Sequence, residues 1–399
     1  MSLYCGSNKV APIVGSIIKY VYSPIQRSIT NGKLSMPSSS INYTMDPTIT
    51  DIDNYAMSYA YYECSTIASV DLSNLINING TRALQYTFYD CTNLTTVDLS
   101  NLVSVYGQYA LNYTFSGCSN LISVDLSSLS TIGSNGLQYA FYGCTNLTTV
   151  DLSSLTSVGY YALYYAFYNS KITTINLSNL TTITSSYALA YAFYNCKSLT
   201  SISFNALKKF NGNYNAFYYA FSNCTSLTSM DLSCLEKIDG AYAFYDAFNG
   251  CSNLVTVDLR NAEIDYSLNY VFYYAFNACS KLENVYLNKL NRANGSSFMY
   301  YCFSGCSSLT TMTFQSLSEI KGSQALAYAF NNCTSLTSVS FPALTADSFG
   351  SYTNQFNNML QGVSGCTVHF PAAIQSTIGS WSSVTGGFNG TNTTVLFDL

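Results

Sequence analysis

A cysteine recurs at a nearly constant spacing through most of this chain, and this recurrence restricts the possible folds more than any other feature. Successive positions lie 26 to 28 residues apart. A period in this range is typical of solenoids, in which each unit packs against its neighbours and the array grows lengthwise. The series predicts about eleven repeats, and its members are Cys64, Cys91, Cys118, Cys144, Ser170, Cys196, Cys224, Cys251, Cys279, Cys306 and Cys333.

The first part of each repeat predicts a short strand. In one copy the apolar residues are Leu94, Val97, Leu99, Leu102 and Val105. This spacing fits the leucine-rich-repeat template, in which a short strand points alternate side chains inward and a turn returns the chain. Threonine and valine favour a strand, and strands of neighbouring repeats can pair in parallel about 4.8 Å apart.

The last part of each repeat predicts a short helix. Leu84, Phe88 and Cys91 stand at i, i+4 and i+7, so they would share one helical face. Alternation of Leu84, Tyr86 and Phe88 also admits a strand, but frequent alanine and the continued 3.6-residue period favour the helix. We therefore expect an α/β repeat solenoid, a right-handed leucine-rich-repeat-like array with parallel strands on its concave face and short helices on its convex face.

The two ends of the chain depart from the repeat. Residues 1–50 hold four of the six prolines and four basic residues against one acid. They predict an N-terminal cap or an attachment segment, and docking to a larger assembly and covering of the first repeat remain open alternatives. Residues 51–344 form the predicted solenoid. The unit degenerates after residue 344, so residues 345–399 predict a C-terminal cap.

Composition argues against several classes of protein. Charged residues make up 9% of the chain, with 15 Lys and Arg and a net charge of −5. So few cations cannot neutralise many phosphates, and nucleic acid is not an expected partner. No apolar run approaches the roughly 20 residues of a transmembrane helix. The start, residues 1–9, has no Sec-type signal, so we expect either earlier removal of a signal or another export route.

The sequence contains few residues that could form a catalytic or metal-binding site. His369 is the single histidine and has no nucleophile motif nearby, and no phosphate loop, dinucleotide fingerprint or metalloprotease motif occurs. The chain also lacks the Cys-x-x-Cys pairs of zinc sites. We expect a non-enzymatic protein without a cofactor or a metal.

The repeated cysteines are expected to be structural. Ten of the 14 cysteines occupy one equivalent position, always three residues after a phenylalanine or tyrosine, and Ser170 replaces the thiol once. Free cysteine is among the most buried residue types. The series therefore predicts a stack of small buried thiols instead of a disulfide framework.

Two polar columns flank the central residue of each predicted strand and would face outward on the concave side. Neighbouring carboxylates in one column repel each other unless they have partners. Adjacent hydroxyls or backbone N–H groups would provide these partners. In the alternative interpretation, the carboxylates form a strip that binds a cation or a sugar. The candidate ligand contacts are Thr96, Asp98, Ser123, Asp125, Thr149, Asp151, Thr174 and Asn176.

A third column is aromatic, two residues before the core phenylalanine of each repeat, and only Asp246 interrupts it. Tyrosine can pack its ring between repeats while its hydroxyl stays in water. It is also common in contact surfaces, because it provides area at low entropic cost. The two interpretations are compatible. The candidate contact ladder consists of Tyr113, Tyr139, Tyr165 and Tyr191.

The run Ala-Phe-Tyr-x-Cys-Thr-x-Leu-Thr-x-Val, present at residues 140–150, resembles the BspA-like class of leucine-rich repeats. The resemblance covers roughly residues 56–345. It implies a surface-exposed binding or adhesion protein of bacteria or some protists, and related arrays also occur in phage-like genes. These units are longer than is usual in the class, and the proline that often follows the strand is found only at Pro342 and Pro371.

We therefore expect a recognition or adhesion protein that binds a protein or glycan on a host or bacterial surface through an extended face. Its expected location is extracellular or at the cell surface. One alternative is a phage-tail or virion-associated receptor-binding protein, attached to its particle or to a cell envelope through residues 1–50. A purely structural spacer is the other.

Overall fold

The computed structural model describes residues 42–210, 215–265, 267–352, 354–376 and 387–399, together with the backbone of residues 17–18, 28–30, 33–35 and 41. The chain divides into two units, Met1–Leu177 and Ser178–Leu399. In each unit, neighbouring turns of the chain pair through parallel strands, so each unit is a parallel β solenoid.

The first strand of each turn belongs to what we call the main strand row. Its central residue is buried and the flanking residues are partly or fully exposed, as in Thr96–Asp98. In the first unit this row contains Ile41–Thr44, Ile67–Asp71, Thr96–Asp98, Ser123–Asp125, Thr149–Val150 and Thr174–Asn176. In the second unit it contains Ser201–Ser203, Ser229–Asp231, Thr256–Asp258, Asn284–Tyr286, Thr311–Thr313, Ser338–Ser340, Thr367–Phe370 and Thr394–Phe397.

A second, shorter strand follows in most turns and forms the second strand row. In the first unit this row contains Asp51–Ile52, Asn77–Ile78, Ser104–Val105, Thr131–Ile132 and Ser157–Val158. In the second unit it contains Thr182–Ile183, Lys209–Phe210, Lys237–Ile238 and Glu263–Ile264. Two short 3₁₀ helices, Ala346–Ser348 and Ala372–Ile374, lie near the C-terminus.

Equivalent residues of successive repeats stand side by side in this sheet. Val124 pairs with both Val97 and Val150, and Ser123 pairs with both Thr96 and Thr149. Because the register does not slip between these strands, equivalent repeat positions line up in columns. The columns predicted from the cysteine period are therefore real stacks within each unit.

The short helices predicted for the last part of each repeat are wrong. In the repeat before Cys91, the Thr87 N–H donates to the Leu84 carbonyl three residues earlier, at 3.1 Å. The Leu84 and Phe88 N–H groups donate instead to the next turn, to the Ala110 and Thr114 carbonyls. An α-helix would use all of these donors within one segment. Here half of them join neighbouring turns, so the segment is a ribbon of linked tight turns.

Every fourth residue of this ribbon has a positive φ, as at Arg82, Tyr86 and Asp90, where φ is 54°, 56° and 52°. Two buried residues therefore alternate with two outward-facing ones, a four-residue period that resembles the 3.6-residue period of a helix. The residue before the cysteine distinguishes the turn ribbon from a helix, because Gly, Asn and Asp adopt a positive φ most readily. All but two of the residues at this position are of these types, and the series is Glu63, Asp90, Gly117, Gly143, Asn169, Asn195, Asn223, Gly250, Ala278, Gly305 and Asn332.

The core of each unit is built from ladders of identical side chains. In the first unit Phe88, Phe115, Phe141 and Phe167 stack at 5.4–5.5 Å between ring centroids, with planes within 7° of parallel. Phe221 and Phe248 continue the same pattern in the second unit at 5.4 Å. These rings are at most 1% exposed, so the ladders form the apolar centre of the solenoid.

Parallel pairing extends beyond residues 51–344 in both directions. Ile41–Thr44 pairs with Ile67–Asp71, and Ile17–Ile18 pairs with Asp51–Ile52. At the other end, Thr367–Phe370 and Thr394–Phe397 each add a parallel strand to the row. The proposed limits of the two caps stay predictions, and most of residues 1–50 and residues 377–386 lie outside the described residues.

Ala278 occupies a positive-φ position with φ of 59° and is exposed. Ala278→Gly is expected to raise the free energy of unfolding by about 1 kcal/mol, because glycine adopts this backbone without a Cβ clash. Urea denaturation of the purified chain measures it. The matched control is Ala346→Gly in the 3₁₀ helix Ala346–Ser348, an exposed alanine whose replacement should destabilise. A destabilising effect at Ala278 would contradict the turn-ribbon geometry.

Candidate functional site

The structure brings the predicted hydroxyl column together on the outside of the main strand row. Thr96, Ser123 and Thr149 lie in register on adjacent strands, and Thr96 and Thr149 are exposed. The strand bearing the exposed residues Thr174 and Asn176 follows in the same unit, where the Thr173 N–H donates to the Thr148 carbonyl at 3.3 Å. The column therefore presents hydroxyl groups at the spacing of parallel strands.

The aspartates of the neighbouring column are held by the backbone. The Asp98, Asp125 and Asp151 carboxylates each accept the N–H of the residue two positions later, at 2.8–3.0 Å. This is the local turn that aspartate side chains form with their own backbone. In the described part of the chain, no group of three or more His, Cys, Asp or Glu side chains has metal-binding geometry. Backbone N–H groups are thus the partners that limit repulsion along the column.

The tyrosine column of the first unit is an uninterrupted stack. The pairs from Tyr59 through Tyr86, Tyr113 and Tyr139 to Tyr165 have centroids 4.4–5.1 Å apart and planes within 12° of parallel. All five residues also have positive φ, which costs about 1–2 kcal/mol for a residue with a side chain. Ring stacking and the hydrogen bonds between turns offset this cost. The ladder therefore stabilises the ribbon and also forms its outer surface.

The tyrosines of the second unit stack in a different arrangement. Tyr191 stacks on Tyr219 at 4.8 Å, and a separate stack joins Tyr274, Tyr301 and Tyr328 at 4.5–4.8 Å. A second column, one residue earlier in the repeat, stacks across the interruption at Asp246. The residues of this second column, at 4.6–5.1 Å, are Tyr218, Tyr245, Tyr273 and Tyr300. Sequence reasoning missed this column, although its members recur at the same period.

The Tyr113 and Tyr139 hydroxyls of the first-unit ladder stay protonated near neutral pH, because both have raised pKa values. Burial, reinforced by the neighbouring Tyr86 hydroxyl, raises the pKa of Tyr113 to about 12. Burial and the Tyr113 hydroxyl raise the pKa of Tyr139 still further above its usual range. The rings of both residues are partly exposed. The ladder thus offers neutral hydroxyls that can both donate and accept hydrogen bonds.

Stacking also determines which part of each ring a ligand can reach. Tyr113 lies between Tyr86 and Tyr139, and Tyr139 lies between Tyr113 and Tyr165, so both faces of each ring meet another ring. The ring edges are left for solvent, and the Tyr139 hydroxyl donates a hydrogen bond to the Tyr113 hydroxyl. The surface suits hydrogen bonding and edge contacts better than stacking of a ligand against an open aromatic face.

The repeated cysteines form a buried ladder, as predicted. Most of these thiols also donate to a backbone carbonyl of the preceding turn. Cys118 reaches the Phe88 carbonyl and Cys144 the Phe115 carbonyl, both at 3.1 Å. Burial raises the pKa of Cys118 and Cys144 well above the usual range. The thiols therefore link adjacent turns and are poor nucleophiles, because the thiolate is the reactive form.

Thiol labelling tests this ladder. In a Cys5→Ser background, which removes the one cysteine outside the described residues, 13 thiols remain and only Cys234 is not buried. We expect the native protein to react with about one equivalent of an aromatic disulfide reagent and the urea-unfolded protein with all 13. Adding Cys234→Ser should remove the fast reaction. Rapid labelling of most thiols in the native protein would contradict the buried ladder.

The single histidine does not form a catalytic arrangement in the described part of the chain. His369 Nδ1 lies 2.9 Å from the Asp398 carboxylate. No serine or cysteine of the described residues hydrogen-bonds to its other ring nitrogen. The described residues also contain no helix of the length and apolar character that crossing a bilayer requires.

The sequence matches the family model for BspA-type leucine-rich-repeat regions. Overlapping matches cover residues 33–163, 112–246, 164–300 and 218–361. The chain belongs to the BspA-type leucine-rich-repeat family. The resemblance found in residues 140–150 is thereby confirmed, and the BspA-type protein contains the repeats over most of its length. No curated protein matches its sequence.

Several solved structures are similar to the BspA-type protein. A leucine-rich cell surface protein from Faecalibacterium prausnitzii A2-165 is 16% identical, with 94% of each chain covered and a TM-score of 0.38. The pneumococcal vaccine antigen PcpA is 13% identical, with 96% of this chain and 99% of that chain covered and a TM-score of 0.36. A leucine-rich-repeat protein from Eubacterium ventriosum ATCC 27560 is 17% identical, covering 76% and 84%, with a TM-score of 0.30.

Proposed function

We propose that this BspA-type protein is a non-enzymatic surface recognition protein that binds a protein partner. Its extracellular or cell-surface location is part of the same proposal and follows from the family. The tyrosine ladder of the first unit carries the proposal: partly exposed rings are held in a rigid stack, with edges and protonated hydroxyls outward. Tyrosine provides such contact area at low conformational cost, because its side chain has few rotatable bonds.

The hydroxyl column of the main strand row is the second proposed contact surface. Thr96, Thr149 and Thr174 are exposed, and from Ser69 to Thr149 the row repeats one hydroxyl per turn. The aspartates beside it are already engaged with backbone N–H groups, so they contribute less to a ligand than their number suggests. Each of these two surfaces extends over several turns, which suits an extended protein partner of the kind that solenoids commonly bind.

A protein partner fits the ladder better than a glycan does. Glycan recognition by tyrosine uses an open ring face, against which a sugar packs, whereas the ladder covers both faces of its inner rings. Protein interfaces use tyrosine through its hydroxyl and its edge as well as its face. The low content of charged residues, 9%, also favours contacts whose affinity depends little on salt.

Parallel binding to two arrays tests the proposal. The full chain is applied to an array of secreted proteins and ectodomains and to an array of surface glycans. We expect saturable binding to a protein and none to the glycans. Binding to glycans alone would contradict the proposed partner class. Absence of binding on both arrays would favour the purely structural spacer.

A further inference from the structure

The tyrosine column of the second unit is interrupted by one residue, an aspartate, whose charged side chain is costly to bury. Asp246 takes the place that tyrosine fills in every other repeat from Tyr59 to Tyr328. Asp246 is only 5% exposed. Its φ of 51° matches the positive φ of the tyrosines at the equivalent position of the other repeats. Buried carboxylates are rare unless they are paired, because removing their charge from water is unfavourable. The repeats themselves show that tyrosine fits here, so the carboxylate is not needed for packing.

Asp246 has polar neighbours but no cationic partner among the described residues. Asn249 Nδ2 donates to its carboxylate at 2.8 Å, and the Tyr219 hydroxyl donates a second hydrogen bond. An ionised carboxylate has about four acceptor positions, so capacity remains for a further donor. Among the described residues, none of the ion pairs includes Asp246. The negative charge is thus present without a protein counter-charge in that part of the chain.

Four tyrosines surround this carboxylate, and all are partly exposed. Tyr245 stacks on Tyr273 at 4.6 Å, Tyr273 tilts against Tyr274 at 4.8 Å, and Tyr245 tilts against Tyr219 at 5.7 Å. Burial is the main cause of the raised pKa values of these hydroxyls, and the Asp246 charge contributes to them. Asp246 therefore lies one side-chain layer below the surface, among aromatic rings.

Tyr219 and Tyr274 each stack in parallel on one ladder ring, Tyr191 and Tyr301, and in the described part of the chain their opposite faces, towards Asp246, meet no parallel ring. Such a face attracts an organic cation, because the ring quadrupole and the carboxylate charge act in the same direction. We propose that the break in the tyrosine ladder at Asp246 is a binding site for an alkylammonium group, supplied by a lysine side chain of the protein partner. This inference rests on the proposed protein-binding function. Lysine fits better than arginine, because two acceptor positions are already in use and a compact ammonium needs no bidentate carboxylate.

Binding of an ammonium group would offset the cost of burying the Asp246 charge. Burial raises the pKa of Asp246 to about 6, so the charged form is disfavoured when no cation is present. A bound ammonium pairs with that charge and favours ionisation. The affinity of the site should therefore fall at pH 5, where Asp246 is largely protonated, relative to pH 7.5.

The test titrates the full chain with Nα-acetyl-lysine methylamide and, as an uncharged match, Nα-acetyl-norleucine methylamide. Calorimetry at pH 7.5 should show a dissociation constant on the order of 1 mM for the lysine compound and at least tenfold weaker binding of norleucine. Asp246→Asn, which keeps the shape of the side chain, should weaken lysine binding at least tenfold. Asp246→Tyr, which restores the ladder, should abolish it. Equal binding to wild type and Asp246→Asn, or no binding at all, would overturn the site.

The same variants separate this inference from the wider proposal. Asp246→Asn should unfold at or above the wild-type temperature, so lost binding cannot be ascribed to misfolding. If the protein array shows no partner while the lysine compound binds through Asp246, the protein-binding function fails and the ammonium site stands. If a protein partner binds equally well to wild type and Asp246→Asn, the function stands and its lysine contact fails.

Discussion

Phe141→Ala is expected to lower the free energy of unfolding by about 3–5 kcal/mol, the usual cost of deleting a buried aromatic ring. Phe141 is 1% exposed and stacks on Phe115 at 5.4 Å and on Phe167 at 5.5 Å. Each neighbouring ring is fixed by the next turn, so the cavity cannot close by a local shift. Urea denaturation followed by tyrosine fluorescence measures the change.

Thr149→Ala in the same repeat is the control for this substitution. Thr149 is exposed on its strand, and its replacement should change the free energy of unfolding by no more than about 0.5 kcal/mol. If Phe141→Ala costs less than about 1 kcal/mol, the ring is not part of a packed ladder. The described core of the first unit would then be wrong.

Asp246→Asn is expected to stabilise the protein by about 3 kcal/mol at pH 7, because burial raises the pKa of this carboxyl from 3.8 to about 6. The native state binds the proton more tightly than the unfolded state. The wild type therefore loses stability as the pH rises from about 4 to about 6, and the loss is complete above that range. Asparagine carries no charge, so the stabilisation should shrink towards zero below pH 4.

The pH dependence distinguishes this effect from a simple packing change. Urea denaturation of wild type and variant at pH 4 and pH 7 measures it. Asp151→Asn is the matched control at an exposed position of the strand face, and should change stability by less than about 0.5 kcal/mol at either pH. A stabilisation by Asp246→Asn that is equal at both pH values would show that the carboxylate is not held in a costly environment.

Much of the fold follows from the sequence, because one period places every repeat in register. Leu94, Val97 and Leu99 are buried as predicted, and Cys91 is in a buried ladder. The helix prediction failed because a four-residue period of linked turns places Leu84 and Phe88 on one side as a helix would. The informative residues were those before each cysteine, where Gly, Asn and Asp indicate positive φ.

The candidate surface was predictable in position but not in ring geometry. The period places Tyr113, Tyr139 and Tyr165 in one column, which the structure confirms as a stack. The part of each ring that faces solvent depends on the side-chain rotamer. The spacing of the tyrosines in the sequence does not predict that rotamer. Asp246 was visible as an interruption, but its burial depends on neighbours in other turns.

The most direct test of the account is the affinity of a Tyr113→Phe, Tyr139→Phe, Tyr165→Phe triple variant for the protein partner that the array identifies. Phenylalanine keeps the ring stack and removes three hydroxyls, with the Tyr139–Tyr113 hydrogen bond, so the free energy of unfolding should fall by no more than about 1 kcal/mol. Surface plasmon resonance should show binding at least about tenfold weaker than wild type, since each lost hydrogen bond contributes about 0.5–1.5 kcal/mol. Unchanged affinity would contradict the tyrosine ladder as the recognition surface.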